Sequence, residues 1–222
     1  MRTIHAELTF TQPILGTSSA DPAIHARYIA SKAPDAPSTK EEVEALGTEA
    51  VMERGMTVFP RTPDGLPMLF NYMLKGFFKD ACKGMREADG SESANLAAYK
   101  TKIDTLIFVE PRGVVLHVPE GSEVRVLQRP LRAETAQGPR VALASSEMLD
   151  AGTTCSFDIT LLAESTKGSK THKGVSLVKC LLEWFAYGQL RGIGQWRNAG
   201  YGSFRCRLTD AKTGEVLLDN MG

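Results

Sequence analysis

The segment GIGQWRNAGYGSF, residues 192–204, gathers more chemically capable residues than any other stretch of the chain. Gly192, Gly194, Gly200 and Gly202 frame Trp196, Arg197 and Tyr201. Glycines in such turns permit positive φ and line up N–H groups as an anion-binding nest. Arg197 adds a charge-assisted fork that suits phosphate, and Trp196 or Tyr201 offers an aromatic face to a base. The same residues also suit a helix C-cap and tight turn with Trp196 plugging the core, and spacing alone leaves both readings open. A P-loop is excluded because no GK[ST] follows. A dinucleotide fingerprint is excluded because the segment precedes a strand instead of opening a helix.

Two further basic groups are candidates for phosphate contact. The stretch QRPLRAETAQGPRVAL (128–143) places Arg129, Arg132 and Arg140 on two strands joined by a polar loop. Such a hairpin grips a phosphate backbone or a neighbouring subunit, or else is solvated with its arginine stems packed on the sheet. Lys75, Lys79, Lys83 and Arg86 recur at helical spacing and read mainly as a solvated face, with Lys75 kept among the candidate contacts. Cys82, Cys155, Cys180 and Cys206 are scattered through apolar segments without CxxC pairs, and His5, His25, His117 and His172 are isolated. The cysteines read as small buried hydrophobes, and neither a metal site nor a cofactor is indicated.

The elements that must hold these residues follow from periodicity. Residues 2–10 alternate, with Ile4, Ala6, Leu8 and Phe10 on one face, and predict a half-buried strand. Residues 17–57 are rich in Ala, Ser, Pro and acids and read as an insertion, with a helix expected at 39–53. A short strand in 56–67 precedes a helix expected from about 67, at Pro67, to 86. Strand patterns follow in KIDTLIFVEP, GVVLHVP, EVRVLQRPLRAE, RVALASSEML and CSFDITLLAE. A polar linker at 164–174 leads to a helix at 175–190, and a strand at about 202–209 completes the pattern. The order fits a single α+β domain over 1–222, with a ferredoxin-like βαββαβ, RRM-like core. It carries an N-terminal-half insertion at 17–57 and a β-hairpin insertion around 120–150. Helices would cover one sheet face, leaving the other to a partner, a second domain or nucleic acid.

Composition narrows the class. With 42% hydrophobic and 23% charged residues, the 222-residue chain is of globular type and not collagen-like, disordered or a disulfide scaffold. No apolar run approaches the roughly 18 residues of a membrane helix, and the alternating start MRTIHAELTF does not read as a signal peptide. The expectation is a cytoplasmic protein with no membrane partner. Net charge is zero, but its distribution is uneven. Asp35 to Glu53 is acidic, whereas Lys167 to Arg207 holds Lys167, Lys170, Lys173, Lys179, Arg191, Arg197, Arg205 and Arg207 against Glu183 alone. Local basic clustering of this kind binds phosphates.

The pattern Gly192-x-Gly194-x5-Gly200-x-Gly202-x-Phe204 resembles the C-terminal glycine-rich loop of the RAMP superfamily of CRISPR–Cas systems. PDGLPMLFNYMLKGFFKDA (63–81) is similar to that family's first long helix, with Pro67 in the opening loop and Lys75–Gly76 two turns in. Small RAMP-like proteins of phages and prophages are the nearest in pattern. The resemblance implies a ferredoxin-like fold, binding of single-stranded RNA or DNA with RNA favoured, and membership of a homo-oligomer or multi-subunit ribonucleoprotein in a bacterial cytoplasm. It also implies a candidate catalytic pair, His25 and Tyr28, where the family's nucleases place a histidine base able to activate a 2′-hydroxyl.

The resulting expectation is a non-enzymatic nucleic-acid-binding protein. Gly192, Gly194, Gly200 and Gly202 shape its loop, Arg197, Lys170, Lys173 and Arg205 meet phosphates, and Trp196 or Tyr201 stacks a base. Two alternatives stand beside it: a metal-independent endoribonuclease using His25, and a self-assembling or partner-binding module without nucleic acid.

Overall fold

The alternation near the N-terminus becomes strand β1 (Arg2–Phe10), whose Ile4, Ala6, Leu8 and Phe10 are all buried. The computed structural model describes residues 1–20, 56–135, 138–167 and 174–221, with 131–135 and 138–143 described by their backbone. The helix expected at 39–53 lies outside the described residues, as do His25, Tyr28, Lys170 and Lys173. After β1 come β2 (Ile14–Leu15), β3 (Ser18–Ser19), β4 (Thr57–Val58) and β5 (Met68–Phe70). Helices α1 (Asn71–Met85) and α2 (Tyr99–Leu106) follow, then strands β6 (Ile107–Glu110), β7 (Gly113–Val115), β8 (Arg125–Thr135), β9 (Gly138–Leu149) and β10 (Thr154–Leu161). Helix α3 (Leu177–Arg191) precedes β11 (Phe204–Asp210) and β12 (Val216–Asp219).

The main sheet runs β12-β11-β1-β10-β6, with every neighbouring pair antiparallel. Without β12 this is the 4-1-3-2 strand order of a βαββαβ unit, in which α1 carries the chain from β1 to β6 and α3 from β10 to β11. The protein is thus an α+β fold with a ferredoxin-like core. A second sheet is built on β9, which pairs with β2, β4 and β8. The β8–β9 ladder runs in unbroken register from Arg125↔Met148 to Thr135↔Gly138, between β7 and β10 in the chain.

One face of the main sheet is apolar on every strand and the helices cover it. Cys155, Phe157, Ile159 and Leu161 of β10 and Phe204, Cys206 and Leu208 of β11 are buried beside the β1 side chains. Against them pack Leu74, Phe77, Phe78 and Ala81 of α1 and Cys180, Leu181, Trp184 and Phe185 of α3. Phe77, Phe185 and Phe204 meet edge-on, with ring centroids 5.7 to 6.2 Å apart. Each contributes about 1.5–3 kcal/mol by leaving water. α3 is further fixed by Trp184 Nε1, which donates to Ser93 Oγ at 3.0 Å, and by Glu183, which accepts from that hydroxyl at 2.6 Å. The opposite face is polar: His5 Nδ1 meets Asp158 at 2.7 Å, Thr3 meets Thr160 at 3.2 Å, and Arg207 pairs with Asp219.

The structure departs from sequence expectation in three elements. α1 starts at Asn71, because Met68–Phe70 is drawn into a ladder with Gly113–Val115. The segment expected as one strand from Lys102 is helical to Leu106, and only Ile107–Glu110 pairs with β10. β12 adds an edge strand beyond β11. Among the described residues, no helix is long and apolar enough to cross a membrane.

Candidate functional site

The loop between α3 and β11 is pinched shut at its base. α3 ends at Gly192, at φ +73, and Gly202 opposite it stands at φ +74. Ile193 N donates to Gly202 O at 2.9 Å, and Gly202 N donates to Pro13 O at 2.8 Å. A Cβ on Gly202 would lie 1.8 Å from the Ile193 carbonyl oxygen, and one on Gly192 would lie 2.5 Å from that of Tyr201. Glycine is therefore required at both positions by conformation and by backbone approach. The pinch projects residues 194–201, which carry a short 3₁₀ turn at Arg197–Ala199.

Trp196, at the crest, stands at φ +52. An L-residue in the left-handed region is strained by on the order of 1–2 kcal/mol and persists only where its surroundings hold it. Its surroundings do so: the Tyr201 ring stacks on it at 5.1 Å and 15°, and the Arg129 guanidinium lies over it at 4.9 Å. Trp196 remains 42% exposed. It is a surface aromatic and not a core plug.

Arg129, near the root of β8, is 92% buried. Nη1 donates to Ser146 Oγ at 3.2 Å and Nη2 to Gln195 Oε1 at 3.1 Å, while Nε is buried without a partner. Among the described residues no carboxylate lies within 4.0 Å of this guanidinium. A buried cation held only by neutral groups is costly and creates a positive potential at the loop. Arg197 and Arg191 add to it. Both reach Asp80 of α1, Arg197 Nη1 at 2.6 Å and Arg191 Nε at 3.3 Å from the same Oδ2, and Arg191 also donates to Asn198. Two guanidiniums thus share the Asp80 carboxylate, and that of Arg129 is held by neutral groups among the described residues. Arg191, Gln195, Trp196, Arg197 and Asn198 line an open cavity of about 330 Å³.

Of the residues singled out in the sequence, the structure brings together Gly192, Gly194, Trp196, Arg197, Gly200, Tyr201, Gly202 and Arg129. It places Arg205 elsewhere, exposed on β11 at odd register with the buried Phe204 and Cys206 and so on the polar sheet face. Lys75 turns from the loop: Nζ donates to the Asp104 carbonyl at 3.1 Å and lies 4.8 Å from the Phe108 centroid. Burial holds its ammonium below the usual lysine range, with Asp104 acting in the opposite sense. The Arg132 side chain lies outside the described residues. Asp80, Ser146, Gln195 and the local role of Arg191 were not anticipated. Gln195 and Asn198 lie within the loop motif itself, whereas Asp80 carries no sequence signal beyond being an acid on a lysine-rich helix face.

Among the described residues no competing reactive centre stands out. All four cysteines are buried, and desolvation pushes Cys82 and Cys206 up to about 11 and Cys155 and Cys180 to about 12, so none is a thiolate near neutrality. Among the described residues no group of three or more His, Cys, Asp or Glu is arranged to hold a metal ion.

No protein-family model matches the chain, and no curated protein is similar to it. Among solved structures, a chain of the cryo-EM structure of the Type III-B Cmr-beta bound to cognate target RNA superposes with a TM-score of 0.50 at 11% identity. The match covers 94% of this chain and 61% of that one, so this protein spans less than two thirds of its neighbour's length. At this identity the likeness is one of fold: the α+β, ferredoxin-like architecture is shared with a subunit of an RNA-bound complex.

Proposed function

We propose that this protein is a RAMP-like, non-enzymatic binder of single-stranded nucleic acid, RNA in preference to DNA, acting in the cytoplasm as a protomer of a ribonucleoprotein assembly. The observation that carries the reading is the convergence of Arg129, Arg191 and Arg197 on a projecting glycine-rich loop that also presents the Trp196–Tyr201 stack. Cationic forks for the backbone beside an aromatic platform for bases are the two ingredients of sequence-tolerant single-strand binding. Gly192 and Gly202 fix the loop's exit and re-entry, and Arg129 seats Trp196 from the β8–β9 hairpin. The fold shared with a subunit of an RNA-bound complex supports the same reading. Arg132, Lys170 and Lys173 extend the phosphate track in this proposal.

The test is fluorescence anisotropy of labelled single-stranded RNA and DNA with wild type and with Trp196→Ala/Arg197→Ala. Wild type is expected to bind, RNA more tightly, and the double variant to lose at least about tenfold, since one base stack and one phosphate contact go together. Absence of binding by wild type to either strand would overturn the proposal.

A further inference from the structure

The polar cavity at the loop does not end at Arg197. Gly194 and Arg197 also border a second cavity, of about 210 Å³, lying between the loop and α1. Its walls are of opposite character: Leu69, Met73, Phe77 and Ile193, with Thr17 as the one hydroxyl. The two compartments share Gly194 and Arg197 in their linings, the one otherwise apolar and the other polar with Arg191. About 210 Å³ is below the roughly 300–1,000 Å³ of sites that enclose whole small molecules. It suits one flat ring system.

Gly76 borders the same apolar compartment from the exposed side of α1. Glycine inside a helix costs about 1 kcal/mol relative to alanine, so a mid-helix glycine needs a packing or functional reason. Packing does not supply it, because a Cβ at position 76 would meet no heavy atom within 4 Å. What a side chain there would do is narrow the mouth of the cavity. Helical stability at Gly76 is given up where the cavity needs to stay open.

Resting on the RNA-binding reading above, we propose that the compartment floored by Met73, Phe77 and Ile193 is a seat for one unstacked RNA base, its phosphates held across Gly194 by Arg197 and Arg191. Apolar and aromatic walls accept a base by its face. Charge complementarity sets its polarity: the backbone lies at the arginine end and the base at the apolar end. Thr17 Oγ1, which among the described residues makes a 3.6 Å contact to Met73 Sδ, is the hydroxyl in the cavity lining that can meet a base edge.

The experiment compares a single-stranded RNA of about 12 nucleotides with a strand of the same backbone in which bases are replaced by hydrogen, each titrated with wild type, Gly76→Ala and Gly76→Leu. Wild type is expected to prefer the base-bearing strand by about tenfold. Gly76→Leu, which fills the mouth, is expected to lose part of that preference, the remainder lying with the Trp196–Tyr201 stack, while binding the base-free strand within about twofold of wild type. Gly76→Ala, which narrows the mouth less, is expected to lose less of the preference than Gly76→Leu; both variants should melt at or above wild type. A preference undiminished in Gly76→Leu would overturn the base seat and leave loop-mediated RNA binding standing, whereas equal binding of the two strands by wild type would overturn both the base seat and the Trp196–Tyr201 base platform. Binding of neither strand by wild type would overturn both the base seat and loop-mediated RNA binding.

Discussion

Asp80 gives the sharpest handle on whether the loop arginines face RNA. Its Oδ2 accepts from Arg197 at 2.6 Å and from Arg191 at 3.3 Å, so it occupies the place a phosphate oxygen would take. Asp80→Asn keeps an acceptor of the same shape and removes one negative charge. A phosphate on the far side of either guanidinium would sit about 7 Å from the carboxylate. At that distance the repulsion is about 0.6 kcal/mol at bulk-water dielectric and about 2.4 kcal/mol at an effective dielectric of about 20. The side chains of Asp80, Arg191 and Arg197 are 30%, 27% and 24% exposed, which places the site between these limits. Removal of the charge should therefore tighten RNA binding by about 3- to 60-fold, most at low ionic strength where screening is weak. The cost to folding is that of a partly exposed ion pair, about 1 kcal/mol or less, or about 2–4 °C in Tm for a chain of this size. Anisotropy at low and moderate salt, with a thermal melt on the same samples, separates the two effects. Unchanged or weaker RNA binding by Asp80→Asn at a Tm within about 4 °C of wild type would refute the idea that Arg191 and Arg197 meet phosphate.

The remaining predictions concern the frame around the site. Gly202→Ala should destabilise by at least about 2 kcal/mol in chemical denaturation, because it combines a left-handed φ with a methyl driven into the Ile193 carbonyl; an unchanged midpoint would show that the loop base is not pinched. Asp210 is held down to about 2 by backbone N–H donors from Thr213 and Lys212 and by the Arg2 guanidinium. Its folded pKa lies below the unfolded value, so its stabilising effect is present above about pH 4 and fades as pH falls toward 2. Asp210→Asn should flatten the acid limb of a stability–pH profile in that window, and an unaltered limb would contradict this. The four thiols should resist a thiol reagent at pH 8 in the native state and react together on unfolding; rapid labelling of any one in the folded protein would show that its surroundings open.

Where local pattern and tertiary structure agree, the chain was legible. β1 alternates because one sheet face is buried along its whole length, and α3 repeats at 3.6 because it lies on that face with Leu177, Leu181, Trp184 and Phe185 inward. The glycine spacing at 192–204 marked the loop because two of those glycines have no steric alternative. The misread elements are those decided by distant partners. Met68–Phe70 is a strand only because Gly113–Val115 comes to pair with it, and the helical pattern of 69–85 ran straight through it. The stretch from Lys102 changes from helix to strand at Ile107, where β10 supplies the ladder, although its β-branched residues suggest one continuous strand. At the site, an arginine on a hairpin read equally as a grip on phosphate or a neighbouring subunit and as a solvated side chain. Arg129 is instead buried, because β8 runs past the loop and presents it to Gln195 and Trp196, 66 and 67 positions away in the chain. The Asp80–Arg197 pair spans 117 positions and leaves no local trace.

If the glycine-rich loop carries phosphate-binding arginines, RNA affinity must depend on salt. With the guanidiniums of Arg191 and Arg197 engaged, log affinity should fall with log salt at a slope of at least about −1.4, which is roughly a sevenfold loss or more between 50 and 200 mM salt. Arg197→Ala should make that slope shallower by about 0.7, the share of one phosphate on a single strand. A slope near zero in wild type, or one that Arg197→Ala leaves unchanged, would contradict the account and make the loop a structural turn.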